Sequence, residues 1–297
     1  MPMLTIGEND GRFGVIDVIG VEPHGPADQA PALREALALH AILVLRMPRR
    51  LDAAEFEAIA RLFGPIKDPV ARAKDGTEFR YDEPRQIIDS GFVLTDEIRA
   101  QLGERSFGGL DDQRPGLFET YHCDDTYTAE PAIATVLHAR QLPPSGGGPT
   151  CFIDMRAAHD RLDASGRDRL KALRVVYAYN NEGAFPPRRA AHGPADVLED
   201  VTHPLVRVHP VTGARSIYLD LDRAKHVEYM PVVEGRALLR SLQDEAESSA
   251  PRCEHAWREH DVLVWDNASV QHKAGGNFEL GEPRRFWRHM IAGPRPV

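Results

Sequence analysis

The pattern of hydrophobic and polar positions predicts strand, helix, strand and helix in the N-terminal part of the chain. β-Branched and apolar residues predict strands at 14–22 (GVIDVIGVE) and 41–46 (AILVLR), and 30–40 (APALREALALH) has the composition of a helix. The clearest helix begins at Asp52, which forms the pattern of a capping box with Glu55. Hydrophobic residues then recur at i, i+3, i+4 and i+7 until a Gly-Pro pair ends the segment.

From residue 121 onward, short strand-like segments alternate with turn residues. These segments are 132–139, 203–210, 216–222, 261–266 and 284–292, with helical patterns between them at about 154–174 and 234–247. Many short strands with few helices fit a β-sandwich or jelly roll better than an alternating α/β sheet. We therefore expect a mainly β protein with flanking helices (α+β) and a jelly-roll core, formed by residues 1–297 as one domain.

Residues 66–120 are rich in charge and show no clear periodicity. A stretch of this length without a structural pattern is usually functional or mobile. Two interpretations are open, a lid over an active site and a solvated excursion on the surface.

Composition and charge narrow the class of protein. The 36 Lys and Arg against 45 Asp and Glu give a net charge of −9, which argues against nucleic acid as a partner. No segment approaches the roughly 20 apolar residues of a membrane span. The three cysteines form no CxxC pair, so neither a disulfide framework nor a structural zinc site is predicted. The N-terminus shows no targeting pattern, and a cytoplasmic protein is expected.

Two histidines and a carboxylate are candidate metal ligands. In YHCDDTY (121–127), His122 and Asp124 are two positions apart, so an extended segment places both side chains on one face. His272 follows shortly after a predicted buried strand. Each feature alone is weak evidence, because HxD pairs and single histidines are more often structural. Together they form a facial triad, which leaves three positions open on an octahedral Fe(II).

Two adjacent arginines follow the last candidate ligand by about a dozen residues, in PRRFWRHM (283–290). An arginine on that strand is suited to pair bidentately with a carboxylate. Because neighbouring residues on a strand face opposite sides, only one of Arg284 and Arg285 is expected to face the site.

Taken together, these motifs resemble the TauD/TfdA (taurine/2,4-D dioxygenase) family of Fe(II)- and 2-oxoglutarate-dependent oxygenases. The matching segments, in the family's order, are RLFGPI (61–66), YHCDDTYTAEPA (121–132), LPPSGGGPT (142–150), HPLVRVHPVTGARSIYLD (203–220), VWDNASVQH (264–272) and EPRRFWRH (282–289). The resemblance runs from about residue 14 to the C-terminus. It implies a double-stranded β-helix and an enzyme that oxidises a small substrate with O2, most simply by hydroxylation, while 2-oxoglutarate is converted to succinate and CO2.

The resemblance also implies roles for individual residues. His122, Asp124 and His272 would hold the iron. Thr150 would hydrogen-bond the distal carboxylate of 2-oxoglutarate, and Arg285 would pair with the same carboxylate, with Arg284 as the competitor for that role. Halogenating relatives replace the carboxylate ligand with a small residue, so the presence of Asp124 argues for hydroxylation or a related oxidation.

The substrate is less well defined. Sulfonate-oxidising relatives carry a second arginine four residues after the first, and counted from Arg285 this position is His289, which argues against taurine. Tyr121, Arg223 and His289 are the candidates for contacting a small polar or anionic substrate, and a purely structural role for His289 is an equal alternative. The expected partners are this small molecule and, as often in the family, further copies of the chain in a dimer or tetramer.

Two other classes of function compete with the oxygenase. One is a jelly-roll metalloenzyme with another metal, such as a zinc hydrolase or a cupin-type isomerase, and the other is a non-catalytic binding protein of the same fold. Thr150 and Arg285 favour the oxygenase, because a hydrolase has no need to bind 2-oxoglutarate. A degenerate binder would be expected to have lost a ligand, and none is missing.

Overall fold

The structure is a computed structural model that describes residues 3–8, 11–25, 29–67, 88–93, 120–179, 199–275, 278–279 and 281–297. A large sheet and a set of smaller sheets enclose a buried interior. Side chains from both sides meet there, including Leu263, Trp265 and Phe286 from the large sheet and Phe152 from a smaller one.

In the part of the chain that the structure describes, the large sheet has seven strands. In spatial order they are β1 (Thr5–Ile6), β2 (Ile16–Ile19), β3 (Ile42–Leu45), β13 (Val262–Asp266), β5 (Ala134–Gln141), β15 (Pro283–Ile291) and β4 (Ile88–Val93). The strands β2 and β3 are parallel, and the other neighbouring pairs are antiparallel.

The smaller sheets are antiparallel throughout. One contains β12 (Arg252–His255), β6 (Thr150–Asp154) and β14 (Val270–Ala274). Another contains β11 (Ala224–Val227), β7 (Arg174–Tyr177) and β8 (Val201–Pro204). A two-stranded sheet pairs β10 (Arg215–Ile217) with β9 (Val206–Val208).

Helices pack outside the sheets. The helices α1 (Gln29–His40) and α2 (Ala53–Phe63) contribute to a hydrophobic core with the large sheet. The helices α3 (Met155–Arg161), α4 (Ala164–Lys171) and α5 (Val232–Ser249) contribute to a second core with the smaller sheets. No helix in the described ranges is long and apolar enough to cross a membrane.

The capping box predicted for α2 is confirmed. The Asp52 carboxylate accepts from the Glu55 N–H at 2.9 Å, and the Glu55 carboxylate accepts from the Asp52 N–H at 3.0 Å. The predicted apolar face of the helix, with Phe56 at its centre, is buried. Capping thus fixes where the helix begins, and burial of one face fixes how it lies on the sheet.

The predicted fold class, mainly β with flanking helices, is confirmed, with differences in three segments. The segment 203–210 forms two strands rather than one, because the chain changes its pairing partner at Leu205. The segment 216–222 is a strand only as far as Ile217. The helical pattern at 154–174 is divided into α3 and α4, the second of which begins after the N-cap Asp163. The lid predicted within 66–120 lies largely outside the described residues.

Candidate active site

His122, Asp124 and His272 lie together at one end of the interior. Their donor atoms are all within 4.8 Å of one another. Nε2 of His122 is 3.9 Å from Oδ1 of Asp124, and Nε2 of His272 is 3.7 Å from Oδ2. The two histidines are joined through their backbones, since each N–H donates to the carbonyl of the other at 3.0 and 2.9 Å. This short bridge brings together two motifs that are 150 positions apart in the sequence.

A chain of hydrogen bonds orients the Asp124 carboxylate. The Thr135 hydroxyl donates to Oδ2 of Asp124 at 2.6 Å and accepts from the Asn267 side-chain amide at 3.0 Å. The Trp265 indole N–H in turn donates to Oδ1 of Asn267 at 2.9 Å. Trp265 and Asn267, which precede His272 in the sequence, therefore support the Asp124 carboxylate through Thr135. Metal-binding carboxylates usually have such hydrogen-bonded support.

The protonation states suit metal binding. Nδ1 of His122 lies 2.8 Å from the Thr120 carbonyl, which fixes this nitrogen as the donor and leaves the Nε2 lone pair available. Burial lowers the pKa of His272 to about 3, which keeps this imidazole neutral. Burial alone would raise the pKa of Asp124, but neighbouring positive charge, including that of Arg288, and the hydrogen bond from the Thr135 hydroxyl hold this pKa below its ordinary value. The donor set is therefore two imidazoles and one ionised carboxylate, which fits a divalent transition metal.

A cavity of about 180 Å³ opens beside the triad. Its lining includes the acids Asp220 and Asp222 and the cations Arg223 and Arg288. The Arg288 guanidinium lies 3.6 Å from Oδ1 of Asp124. Arg223 donates to the Tyr179 carbonyl, and its guanidinium is 4.8 Å from the centre of the Tyr127 ring. Arg223, predicted to contact substrate, thus lies at the cavity.

Alternate side chains of β15 face two environments. On one face, Arg284 and Phe286 are buried and Arg288 reaches the triad. On the other face, Arg285 is exposed and His289 is fully buried. The expectation that Arg285 faces the site is corrected, because Arg284 lies on the same strand face as Arg288, the residue beside Asp124.

The structure also corrects the placement of two candidate substrate contacts. The His289 ring stacks on Phe56 of α2 with centroids 4.9 Å apart, outside the cavity. Tyr121 faces away from the triad and packs in the core beside α5, with the Lys273 ammonium 4.5 Å from its ring centre. Counted from Arg284, the position four residues further is Arg288, so a second arginine is present after all.

Thr150 and Arg284 lie at opposite walls of the interior. Thr150 is 2% exposed on β6, and the register pairs it with Ala274 while Phe152 pairs with His272. Thr150 therefore lies on the sheet face that carries His272. The Arg284 Nε–H donates to the Gly148 carbonyl at 2.9 Å, which ties this side chain to the glycine-rich turn before Thr150.

Several residues of this site were not identified from the sequence. Thr135 and Arg288 contact Asp124, Asn267 supports Thr135, and Trp257 donates to the Thr150 hydroxyl at 3.1 Å. A signal existed for Arg288, since it shares a strand face with Arg284 by alternation. The sequence held no such signal for Thr135 or Trp257, because their contacts join segments that are distant along the chain.

Comparison with known sequences matches one family profile and finds relatives named as alpha-ketoglutarate-dependent dioxygenases. The profile of the family described as "Taurine catabolism dioxygenase TauD, TfdA family" matches residues 8–290. The alpha-ketoglutarate-dependent 2,4-dichlorophenoxyacetate dioxygenase of Burkholderia sp. (strain RASC) is 30% identical over 257 residues, covering 86% of this chain and 82% of the relative. The (S)-phenoxypropionate/alpha-ketoglutarate-dioxygenase of Sphingobium herbicidovorans is 27% identical, covering 98% of this chain and 96% of the relative.

Solved structures agree over nearly the whole chain. The crystal structure of AAD-2 in complex with Mn(II) and N-oxalylglycine superposes with a TM-score of 0.74 at 25% identity, covering 99% of both chains. A taurine dioxygenase from Burkholderia xenovorans superposes with a TM-score of 0.74 at 22% identity, covering 100% of this chain and 93% of the other. The second likeness concerns the fold alone.

Proposed function

Because this chain belongs to the TauD/TfdA family and is a 2-oxoglutarate-dependent dioxygenase, we propose that it binds Fe(II) through His122, Asp124 and His272 and oxidises a small anionic substrate. The observation that carries the proposal is the triad itself, whose three donor atoms lie within 4.8 Å of one another beside a cavity. When bound, iron and 2-oxoglutarate supply the oxidising chemistry, in which O2 is consumed and succinate and CO2 are released.

The protein's own residues orient the metal ligands and bind 2-oxoglutarate. Thr135 fixes the orientation of the Asp124 carboxylate, and the Thr120 carbonyl fixes the tautomer of His122. Arg284 and Thr150 bind the distal carboxylate of 2-oxoglutarate, since a guanidinium and a hydroxyl are suited to hold a carboxylate between two walls of the interior. This assignment moves the arginine role from Arg285 to its neighbour on the interior face of β15.

The anionic character of the substrate is inferred from the cavity and from the relatives. Arg288 and Arg223 both line the cavity, and Arg288 lies beside the metal ligands. The phenoxyacetate and phenoxypropionate named for the relatives are both carboxylates. Asp220 and Asp222 line the same cavity, so the position of the negative group is restricted to the side where the arginines lie. Hydroxylation is the simplest outcome, and assembly into a dimer or tetramer remains a prediction from the family.

The iron assignment is tested by anaerobic addition of Fe(II) and 2-oxoglutarate. The wild-type enzyme should develop the weak visible absorption of an Fe(II)–2-oxoglutarate complex and, on admission of O2, release succinate. His122→Ala and Asp124→Ala should lose both signals while circular dichroism shows an intact fold, and His24→Gln, a change at an exposed histidine, should keep both. Tight zinc binding without the absorption, or turnover by the triad variants, would refute the assignment.

The substrate class is tested with a charged and neutral pair of probes, 2,4-dichlorophenoxyacetate and 2,4-dichlorophenoxyethanol. Succinate release above the substrate-free rate is expected with the acid and not with the alcohol. Arg288→Gln should raise the KM for the acid while leaving the apparent affinity for 2-oxoglutarate within about twofold of wild type. Equal stimulation by both probes, or none by the acid, would contradict an anionic aryloxy substrate.

A further inference from the structure

The Trp257 side chain lies between the two predicted 2-oxoglutarate contacts. Its indole N–H donates to Oγ1 of Thr150 at 3.1 Å. Its ring is 4.5 Å from that of Phe286, centroid to centroid, and the Arg284 guanidinium lies 4.5 Å from the centre of the Phe286 ring on the same strand. One aromatic side chain therefore contacts the hydroxyl on β6 directly and reaches the arginine on β15 through Phe286.

The hydrogen bond to Thr150 determines the direction in which that hydroxyl donates. A threonine hydroxyl has one hydrogen and two lone pairs, whereas an indole N–H only donates. Because the Thr150 oxygen accepts from Trp257, its own hydrogen is directed away from the indole. Thr150 is 2% exposed, and water is therefore nearly excluded as a competing partner.

We infer that Trp257 is a positioning residue for 2-oxoglutarate. It holds the Thr150 hydroxyl as a donor toward the distal carboxylate and supports Phe286 beneath the Arg284 guanidinium. This inference rests on the proposed function, because it assigns a role at the same co-substrate site. Trp257 itself contacts the co-substrate only through these neighbours.

Trp257 is held in place by a buried network around Asp261. Oδ2 of Asp261 accepts from the Arg258 backbone N–H at 2.9 Å and from Arg46 at 2.8 Å, and it lies 3.1 Å from Nε2 of His255. The His255 ring meets the Trp257 ring edge-on at 4.8 Å. The residues on both sides of Trp257 in the sequence, His255 and Arg258, are thus held by the Asp261 carboxylate. Its position is set on folding, before any ligand arrives.

The test compares 2-oxoglutarate binding by the Mn(II)-loaded enzyme and its variants, measured by anaerobic calorimetry. Trp257→Phe keeps an aromatic ring and removes the N–H, and it should weaken 2-oxoglutarate binding about tenfold, the scale of one hydrogen bond to a charged group. Thr150→Val should weaken it by at least as much. Because both changes act through one hydroxyl, Trp257→Phe should have no further effect in the Thr150→Val background.

Two controls separate positioning from general damage. Trp287→Phe changes a tryptophan on the opposite face of β15, where the Arg140 guanidinium covers its ring, and should change 2-oxoglutarate affinity less than twofold. Mn(II) affinity should be equal in wild type and Trp257→Phe. Additive effects of the two substitutions, or unchanged 2-oxoglutarate affinity in Trp257→Phe, would overturn the inference. Failure of the wild-type enzyme to bind 2-oxoglutarate would instead overturn the proposed function.

Discussion

Arg284 and Arg285 are consecutive residues whose side chains meet different surroundings. Arg284 is buried and bonded to Gly148, whereas Arg285 is exposed. Arg284→Gln should raise the 2-oxoglutarate KM about 30-fold, because it removes a charged partner of a carboxylate. Arg285→Gln should change the same constant less than twofold. Steady-state succinate release at varied 2-oxoglutarate measures both, and a larger effect at Arg285 would contradict the assignment.

Thr135 offers a residue-scale test of how the carboxylate ligand is oriented. Thr135→Val removes the hydroxyl that donates to Asp124 and should weaken Mn(II) binding about 10- to 100-fold, the usual cost of losing such support. Thr126→Val is the matched control, since this fully buried threonine donates instead to Asp220 at 3.0 Å. Metal titration followed by electron paramagnetic resonance measures both affinities. Similar losses in the two variants would indicate a general packing defect.

At this scale the sequence was informative about residue types and less so about side-chain direction. The HxD pair and the later histidine could be recognised because few residue sets provide two imidazoles and a carboxylate in that order. The orientation of β15 could not be predicted, because apolar residues occur on both of its faces. Phe286 faces the interior and Trp287 packs toward α2, so hydrophobic alternation does not distinguish the two sides.

Among the elements, the glycine-rich turn before β6 links a loop to the predicted co-substrate site. Gly146 and Gly148 both have left-handed backbones, with φ of 79° and 61°. A Cβ on Gly148 would lie 2.8 Å from Nε of Arg284, whereas a Cβ on Gly146 would have no neighbour within 4 Å. Both changes to alanine carry a backbone cost on the order of 1 kcal/mol.

The two glycine substitutions should therefore differ in function and agree in stability. Gly148→Ala should displace the Arg284 side chain and raise the 2-oxoglutarate KM at least fivefold, and Gly146→Ala should leave it unchanged. Thermal melts should show similar small losses for both. If Gly148→Ala binds 2-oxoglutarate normally, the Arg284 side chain is free to move, and its bond to Gly148 does not set the site.

Helices and strands with strong signals in their own sequence were predictable, and strands whose bounds depend on the strands they pair with were not. The helix α2 carries its own start signal and an amphipathic face, so local sequence determines it. The segment 203–210 is predicted as one strand because its Leu and Val residues favour extended structure. Its division into β8 and β9 arises because β8 pairs with β7 and β9 pairs with β10. Such a change of partner involves distant residues and leaves no local pattern.

For the whole molecule, two buried histidines predict how stability depends on pH. Burial lowers the pKa of His138 and of His203 to about 4, from 6.5 in the unfolded chain. The unfolded state therefore binds more protons between these values, and stability that is complete above pH 6.5 is lost as the pH falls toward 4. Each histidine should account for roughly 2 kcal/mol of lost stability at pH 4.5.

Urea denaturation at pH 7 and at pH 4.5 measures this loss, and substitution separates one histidine from the rest. His138→Gln should weaken the pH dependence by the contribution of one proton, whatever its effect on stability at pH 7. His24→Gln, at an exposed position, should leave the pH dependence as in wild type. An unaltered pH dependence in His138→Gln would show that this ring is protonated as readily in the folded protein as in the unfolded chain.

The backbone bridge between His122 and His272 bears on how the protein responds to iron scarcity. The two hydrogen bonds that join these residues are made by peptide groups and need no metal. Folding therefore already brings His122 and His272 together, with its cost in chain entropy, and metal binding has to order few further residues. A molecule stripped by a chelator should keep slow amide exchange at both histidines and regain activity on simple addition of Fe(II). Loss of iron would then stop catalysis without unfolding the protein, and activity would return each time iron is supplied again.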